Sequence, residues 1–239
     1  MNTVRTVSDT KRDFYRGFPK PVNSIYRRVI DELLVEIHLL IVSQPFAYDS
    51  IFGLGVVTSF DRFTVGYSPE ADRHTIFTAL AQALHFNPEQ LRQEASQLSE
   101  LAMRSPAEVK SLLTTLEANV NLDPLMPQVR AIAANPKFKY SRLFAVGIFT
   151  LLEIVDPEAI ADNDKRQDLI KQVGEALKIG SERLFKDLDL YRSNLEKVAQ
   201  ARQMMADLVE AEKKKRQRQA EQNTSKAETT PESQESPST

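Results

Sequence analysis

The sequence predicts an all-α protein: a multi-helix globular bundle, then a long coiled-coil-like C-terminal helix, then a disordered tail. Three observations carry this. Apolar side chains recur at steps of three and four, the spacing that gathers them on one helical face. Several of the 12 prolines directly follow a residue able to cap a helix, at Ser68-Pro69, Asn87-Pro88, Ser105-Pro106 and Asp123-Pro124. Proline at the first helical position gives up an amide that had no partner there. Only 7 glycines and no alternating β-branched stretches leave strands little support.

In order, helices are expected over about residues 8–18, 23–43, 49–65, 69–84, 88–103, 106–119, 124–134, 141–155, 165–179 and 181–219. Asn23 or Ser24 caps the second. Its Tyr26, Ile30, Leu33, Leu34, Ile37, Leu40 and Ile41 share one broad face, with Val35, Leu39 and Val42 roughly opposite. Apolar on two sides, it is expected between two layers. Asp49 caps the third, whose Ile51, Phe52, Leu54, Val56, Val57, Phe60 and Phe63 are nearly all large, and the second and third are expected at the centre of the core. Residues 88–103 and 106–119 each carry a single apolar stripe and belong outside, with capping boxes expected from Asn87 with Gln90 and from Ser105 with Glu108. The most hydrophobic later element, 141–155, starts at Ser141 and is expected to bury itself against the central pair.

After Pro157 the chain changes character. From Ser181 the apolar positions Leu184, Leu188, Tyr191, Leu195, Val198, Met205 and Val209 follow a heptad seam, interrupted at Arg202. A continuous helix there is about 57 Å long at 1.5 Å per residue, so its distal part is expected to project from a helical domain over 1–180. The seam has three uses: packing back, self-association or binding another protein's helix. Its polar break favours transient pairing, so a monomer or weak dimer is expected. Lys213-Lys214-Lys215-Arg216-Gln217-Arg218 closes the helix, either as a solvated end favoured by the helix dipole or as a contact for anionic lipid. Residues 220–239 hold no large apolar side chain and are expected to be disordered.

Composition narrows the chemistry. The 239 residues give ample length for a core, 41% of them are apolar and 27% charged, and the formal net charge of −2 gives no overall pull toward nucleic acid. The absence of cysteine removes disulfides, thiolate metal sites and cysteine nucleophiles together. No charged-then-apolar leader is read at the amino end. The longest apolar run, from Leu143 to Val155, falls short of the ~20 residues that cross a bilayer. Glu32, Glu36 and His38 invite comparison with the Glu-x-x-His of di-iron bundles, but Glu36 and His38 are two apart, about 200° around a helix, so those two cannot share an ion; His38 is expected to be an ordinary helix-face residue. Arg27, Arg28, Asp61 and Arg62 lie within apolar helices and are expected to form an ion network locking the two central helices, with an exposed partner patch as the rival reading. Gly53 and Gly55 lack the strand and Lys-Ser/Thr of a phosphate loop and are expected to serve close helix approach. No catalytic residue, cofactor or metal site is expected.

A set of words along the chain resembles the Thylakoid Formation family, the photosystem II biogenesis factors of cyanobacteria and plastids. They are Phe14-Tyr15, Phe18-Pro19-Lys20-Pro21, Ser24-Ile25-Tyr26-Arg27-Arg28-Val29, Glu32-Leu33-Leu34-Val35-Glu36, His38-Leu39-Leu40, Tyr48-Asp49, Ile51-Phe52, Leu54-Gly55, Phe60-Asp61-Arg62-Phe63, Gly66-Tyr67 and Leu188-Asp189-Leu190-Tyr191-Arg192-Ser193-Asn194-Leu195-Glu196-Lys197. The resemblance implies a non-enzymatic auxiliary factor for thylakoid biogenesis and photosystem II assembly and repair, in a cyanobacterial form. It also implies association with the FtsH protease complex and a peripheral place on the cytoplasmic side of the thylakoid membrane. The alternative is a structural coiled-coil scaffold without a protease link.

Overall fold

Asp49 and Ser141 start the two helices on which the fold is built. Each side chain accepts a hydrogen bond from an amide three residues on, Phe52 N at 2.8 Å and Phe144 N at 3.1 Å, which satisfies a donor that the first helical turn leaves open. The computed structural model describes residues 5–43 and 45–227, with 219–227 as backbone alone. In chain order the helices are α1 (Val7–Gly17), α2 (Ser24–Ile41), α3 (Ser50–Phe63), α4 (Glu70–Ala83), α5 (Pro88–Arg104), α6 (Pro106–Thr115), α7 (Leu125–Ala134), α8 (Arg142–Val155), α9 (Pro157–Ala161), α10 (Asn163–Ala176) and α11 (Ser181–Ala227). No strand occurs among the described residues.

The central pair is α3 with α8 rather than α2 with α3. Every residue of α3 from Ser50 to Phe60 is buried, as is every residue of α8 from Leu143 to Leu152. Two glycines explain why these helices found each other. A Cβ on Gly55 would run into the Leu143 carbonyl, and a Cβ on Gly147 into the Ile51 carbonyl. Backbone therefore meets backbone, from both sides of the crossing. Gly53 is different: a Cβ there would strike the Tyr48 hydroxyl, so it makes room for a side chain. α5 covers another flank of α3, and its Leu91, Ala95, Leu98 and Leu101 are buried.

With α8 in that place, α2 packs mainly on α1 and holds only a light contact with α3. Its broad face is buried as expected. Its second side is not: Val35 is half-buried, Leu39 is 57% exposed and Val42 46%. α2 is thus covered on one side, because the close approach of the two glycine-bearing helices fills the layer that its second side would have met.

Several boundaries differ from expectation for local reasons. Pro88, Pro106 and Pro157 open their helices, but Pro69 and Pro124 sit one residue earlier, at the capping position, Pro69 with an extended ψ of 145°. Ser105 makes no side-chain cap; it also closes α5, its amide bonded to Leu101 O at 3.0 Å. Glu108 accepts instead from Asn119 N at 2.7 Å. α6 stops at Thr115 because Leu116 turns left-handed, φ 65°. The five-residue α9 was unreadable as a stripe, although Asp156 caps it through Ala159 N at 3.0 Å. α11 reaches Ala227 rather than 219, and the remainder of the expected tail, 228–239, lies outside the described residues. The chain divides into two compact units, Met1–Glu196 and Lys197–Thr239.

The α3 cap carries a testable cost. Burial pushes the Asp49 carboxyl up to about 6, against hydrogen bonds from Phe52 and Ile51 that favour its charge. A raised acid stabilises the fold fully below its unfolded value of 3.8 and loses that contribution as pH rises through about 6. Asp49→Asn keeps an acceptor for Phe52 N and removes the buried charge. It is expected to raise stability by about 2 kcal/mol at neutral pH in urea unfolding, with the gain vanishing near pH 4.

Candidate functional site

The last turn of α3 carries two neighbouring residues with two-pronged ion pairs. Asp61 accepts from Arg92 Nη1 at 2.5 Å and Nη2 at 2.9 Å, a two-pronged pairing, and from Arg73 Nη2 at 3.2 Å. The Arg92 guanidinium also stacks 4.0 Å from the centre of the Phe77 ring. One residue on, Arg62 donates to both oxygens of Glu153 on α8, at 2.5 and 3.2 Å. Burial works against the Arg62 charge, but Glu153 and the Tyr191 hydroxyl beside it prevail and hold its pKa above the ordinary arginine value. An open groove runs past these groups, lined by Leu54, Thr58, Ser96 and Thr150. Its cations already face carboxylates of the same chain.

Arg27 and Arg28 do not join this set. Both are exposed on α2, and Arg28 pairs with Glu32 on its own helix at 2.8 Å. The four expected residues are therefore not one network. Asp61 and Arg62 tie α3 to α4, α5 and α8, and Arg28 sits in a solvent-screened surface pair on α2. Asp61→Ala leaves Arg73 and Arg92 facing each other without their shared carboxylate. It is expected to cost about 2 kcal/mol in urea unfolding, discounted for partial exposure, whereas Arg28→Ala leaves the urea midpoint unchanged.

Glu32, Glu36 and His38 point to different partners. Glu36 accepts from Arg142 of α8 at 2.6 Å. His38 is buried, with Nδ1 2.8 Å from the Thr10 hydroxyl of α1. It is a tie between α1 and α2 rather than a helix-face residue, and its place four positions after Leu34 and eight after Ile30 marked that buried side. Among the described residues no group of three His, Cys, Asp or Glu side chains is placed to hold a metal ion.

The heptad seam is split. Leu184, Leu188 and Tyr191 are buried at 1%, 2% and 6% exposure, and Tyr191 meets the edge of Phe63 with ring centres 5.6 Å apart. Burial pushes the Tyr191 hydroxyl up to about 12. Leu195 and Val198 are half-buried, and Met205 and Val209 are exposed. Two exposed residues escaped the seam, Met204 at 62% and Leu208 at 67%. They stand off the heptad positions, and a plain 3.6-residue plot brings them beside Met205 and Val209. The basic run 213–218 is exposed throughout, and Lys214 pairs with Glu210 at 2.6 Å.

Fold and surface together define an all-α protein whose long last helix presents exposed apolar and basic side chains among the described residues. The family model of the Thylakoid formation protein matches residues 6–220. Protein Thf1 of Nostoc punctiforme is 49% identical over 227 residues, covering 94% of this chain and 96% of that one. Protein Thf1 of a Cyanothece species is 51% identical over 222 residues, covering 92% and 93%. A solved structure of Psb29 at 1.55 Å superposes with a TM-score of 0.76 at 42% identity, covering 89% of this chain and 99% of that one. The chain belongs to the Thylakoid formation protein family.

Proposed function

We propose that this protein is a non-enzymatic auxiliary factor in thylakoid formation, acting in photosystem II assembly and repair by associating with thylakoid FtsH protease complexes and stabilising them. Membership of the family across residues 6–220 carries the reading. The structure is compatible with it in two respects. The strong ion pairs at the end of α3 hold helices together, and α11 is exposed from Gln203 to Arg218. No helix among the described residues is long and apolar enough to cross a membrane, in keeping with a peripheral place, which we assign to the cytoplasmic side. Tagged full-length protein is expected to recover FtsH from detergent-solubilised thylakoid membranes, and deletion of the gene to lower FtsH abundance. Unchanged FtsH levels together with an empty pull-down would falsify the reading.

A second reading, a coiled-coil scaffold, draws on exposed Met205 and Val209 on the seam. Light scattering that stays dimeric on dilution and turns monomeric on truncation after Glu196 would favour it.

A further inference from the structure

We propose that the distal stretch of α11, from Met204 to Arg218, lies on an anionic phospholipid surface, its apolar side chains in the headgroup boundary and its cations on the lipid phosphates. This deepens the peripheral membrane placement proposed above and rests on it.

The apolar part departs from a coiled-coil seam and suits a plane. On the heptad seam the positions after Arg202 are Met205, Val209, Glu212 and Arg216, so the coiled-coil register runs into charge after two residues. Met204 and Leu208, off that seam, are the most exposed of the group at 62% and 67%. At 100° per residue Met204, Met205, Leu208 and Val209 fill a sector of about 140°. A sector of that width suits an extended apolar boundary.

The charge follows directly. Lys213, Lys214, Lys215, Arg216 and Arg218 are five cations in six positions, and together they surround the helix axis. One carboxylate, Glu210, is paired to Lys214 at 2.6 Å. Between 197 and 218 seven cations stand against three carboxylates, while the whole chain carries a net charge of −2. The positive excess is thus local to this stretch. An acidic groove on a protein would meet one side of such a ring, whereas a fluid anionic surface gathers lipid around every cation near it. Length also suits: Met204 to Arg218 spans about 21 Å of helix, enough to lie in an interface.

The test is flotation of the full-length protein with vesicles of phosphatidylcholine alone or with about one-third phosphatidylglycerol added. Recovery is expected to be at least about tenfold higher with the anionic vesicles and to fall as salt rises. Changing Lys213, Lys214, Lys215, Arg216 and Arg218 together to Gln is expected to lower partitioning on the order of a hundredfold. Changing Met204 and Leu208 to Ser is expected to lower it about tenfold. Both variants should keep the helical circular dichroism and unfolding midpoint of the parent, which separates lost binding from lost folding. Equal recovery with neutral vesicles, indifference to salt, or a five-Gln variant that binds as before overturns the proposal. Dimerisation or capture of a protein through the same residues, with no vesicle recovery, overturns it too. The FtsH pull-down in detergent contains no bilayer, so the two ideas separate. FtsH recovered with failed flotation sinks the lipid surface alone; flotation without FtsH upholds it and sinks the protease link.

Discussion

Gly147→Ala is expected to destabilise the protein by about 4 kcal/mol, read as a lower midpoint in urea and a melting temperature lowered by roughly 10 °C. The added methyl would overlap the Ile51 carbonyl, with the carbonyl carbon and the Ile51 side chain close behind. A flexible side chain in its path could rotate away; a carbonyl inside a buried helix cannot. α3 and α8 would have to separate, and all of α8 from Leu143 to Leu152 would loosen against α3 together. Typical overpacking costs of 1–3 kcal/mol describe cores where side chains absorb the strain, so the value here lies above them. Gly55→Ala meets the Leu143 carbonyl in the same way and is expected to cost a similar amount. The two changes should not add, since the first already forces the helices apart. A loss under about 1 kcal/mol for Gly147→Ala would show that the crossing tolerates separation.

Leu188→Ala is expected to cost about 3 kcal/mol, while Val209→Ala, on the same helix and the same heptad spacing, stays within about 0.5 kcal/mol. Leu188 is 2% exposed and belongs to the main core; Val209 is 53% exposed. Removing a buried leucine forfeits its transfer free energy and leaves a cavity. Trimming an exposed valine in a helix removes little, and alanine has the better helix propensity. Equal losses at the two positions would contradict the division of the chain after Glu196.

The same pair of residues shows what a single sequence can and cannot reveal. Steps of three and four run from Leu184 to Val209 with one break at Arg202, and nothing in that rhythm marks where burial ends. Periodicity reports which side of a helix is apolar, not whether anything covers it. α2 makes the point again: its second side of Val35, Leu39 and Val42 was plain in the spacing, yet the cover went to α3 and α8. That choice turned on Gly55 and Gly147, 92 positions apart, whose shared crossing no local pattern exposes. What is local was legible. Asn23, Asp49, Asn87 and Ser141 cap as their chemistry dictates, and α8 is as buried as its composition requires. The ion pairs lay between. Charges at Asp61 and Arg62 inside an apolar helix demanded partners, but Arg73, Arg92 and Glu153 come from three other helices.

The Thr10–His38 tie has a consequence for life in acid. Burial, reinforced by the nearby Arg5 charge and opposed by Asp9 and the Arg5 backbone, holds the His38 pKa below its ordinary 6.5. A depressed imidazole lends its full stability above 6.5 and withdraws it as protons accumulate beneath that. Asp49 tilts the opposite way between about 6 and 3.8, so it offsets the histidine's loss over that range. Asp49→Asn strips away that counterweight, and in a titration of urea midpoints against pH the variant should lose stability more steeply than the parent between about pH 6 and 4.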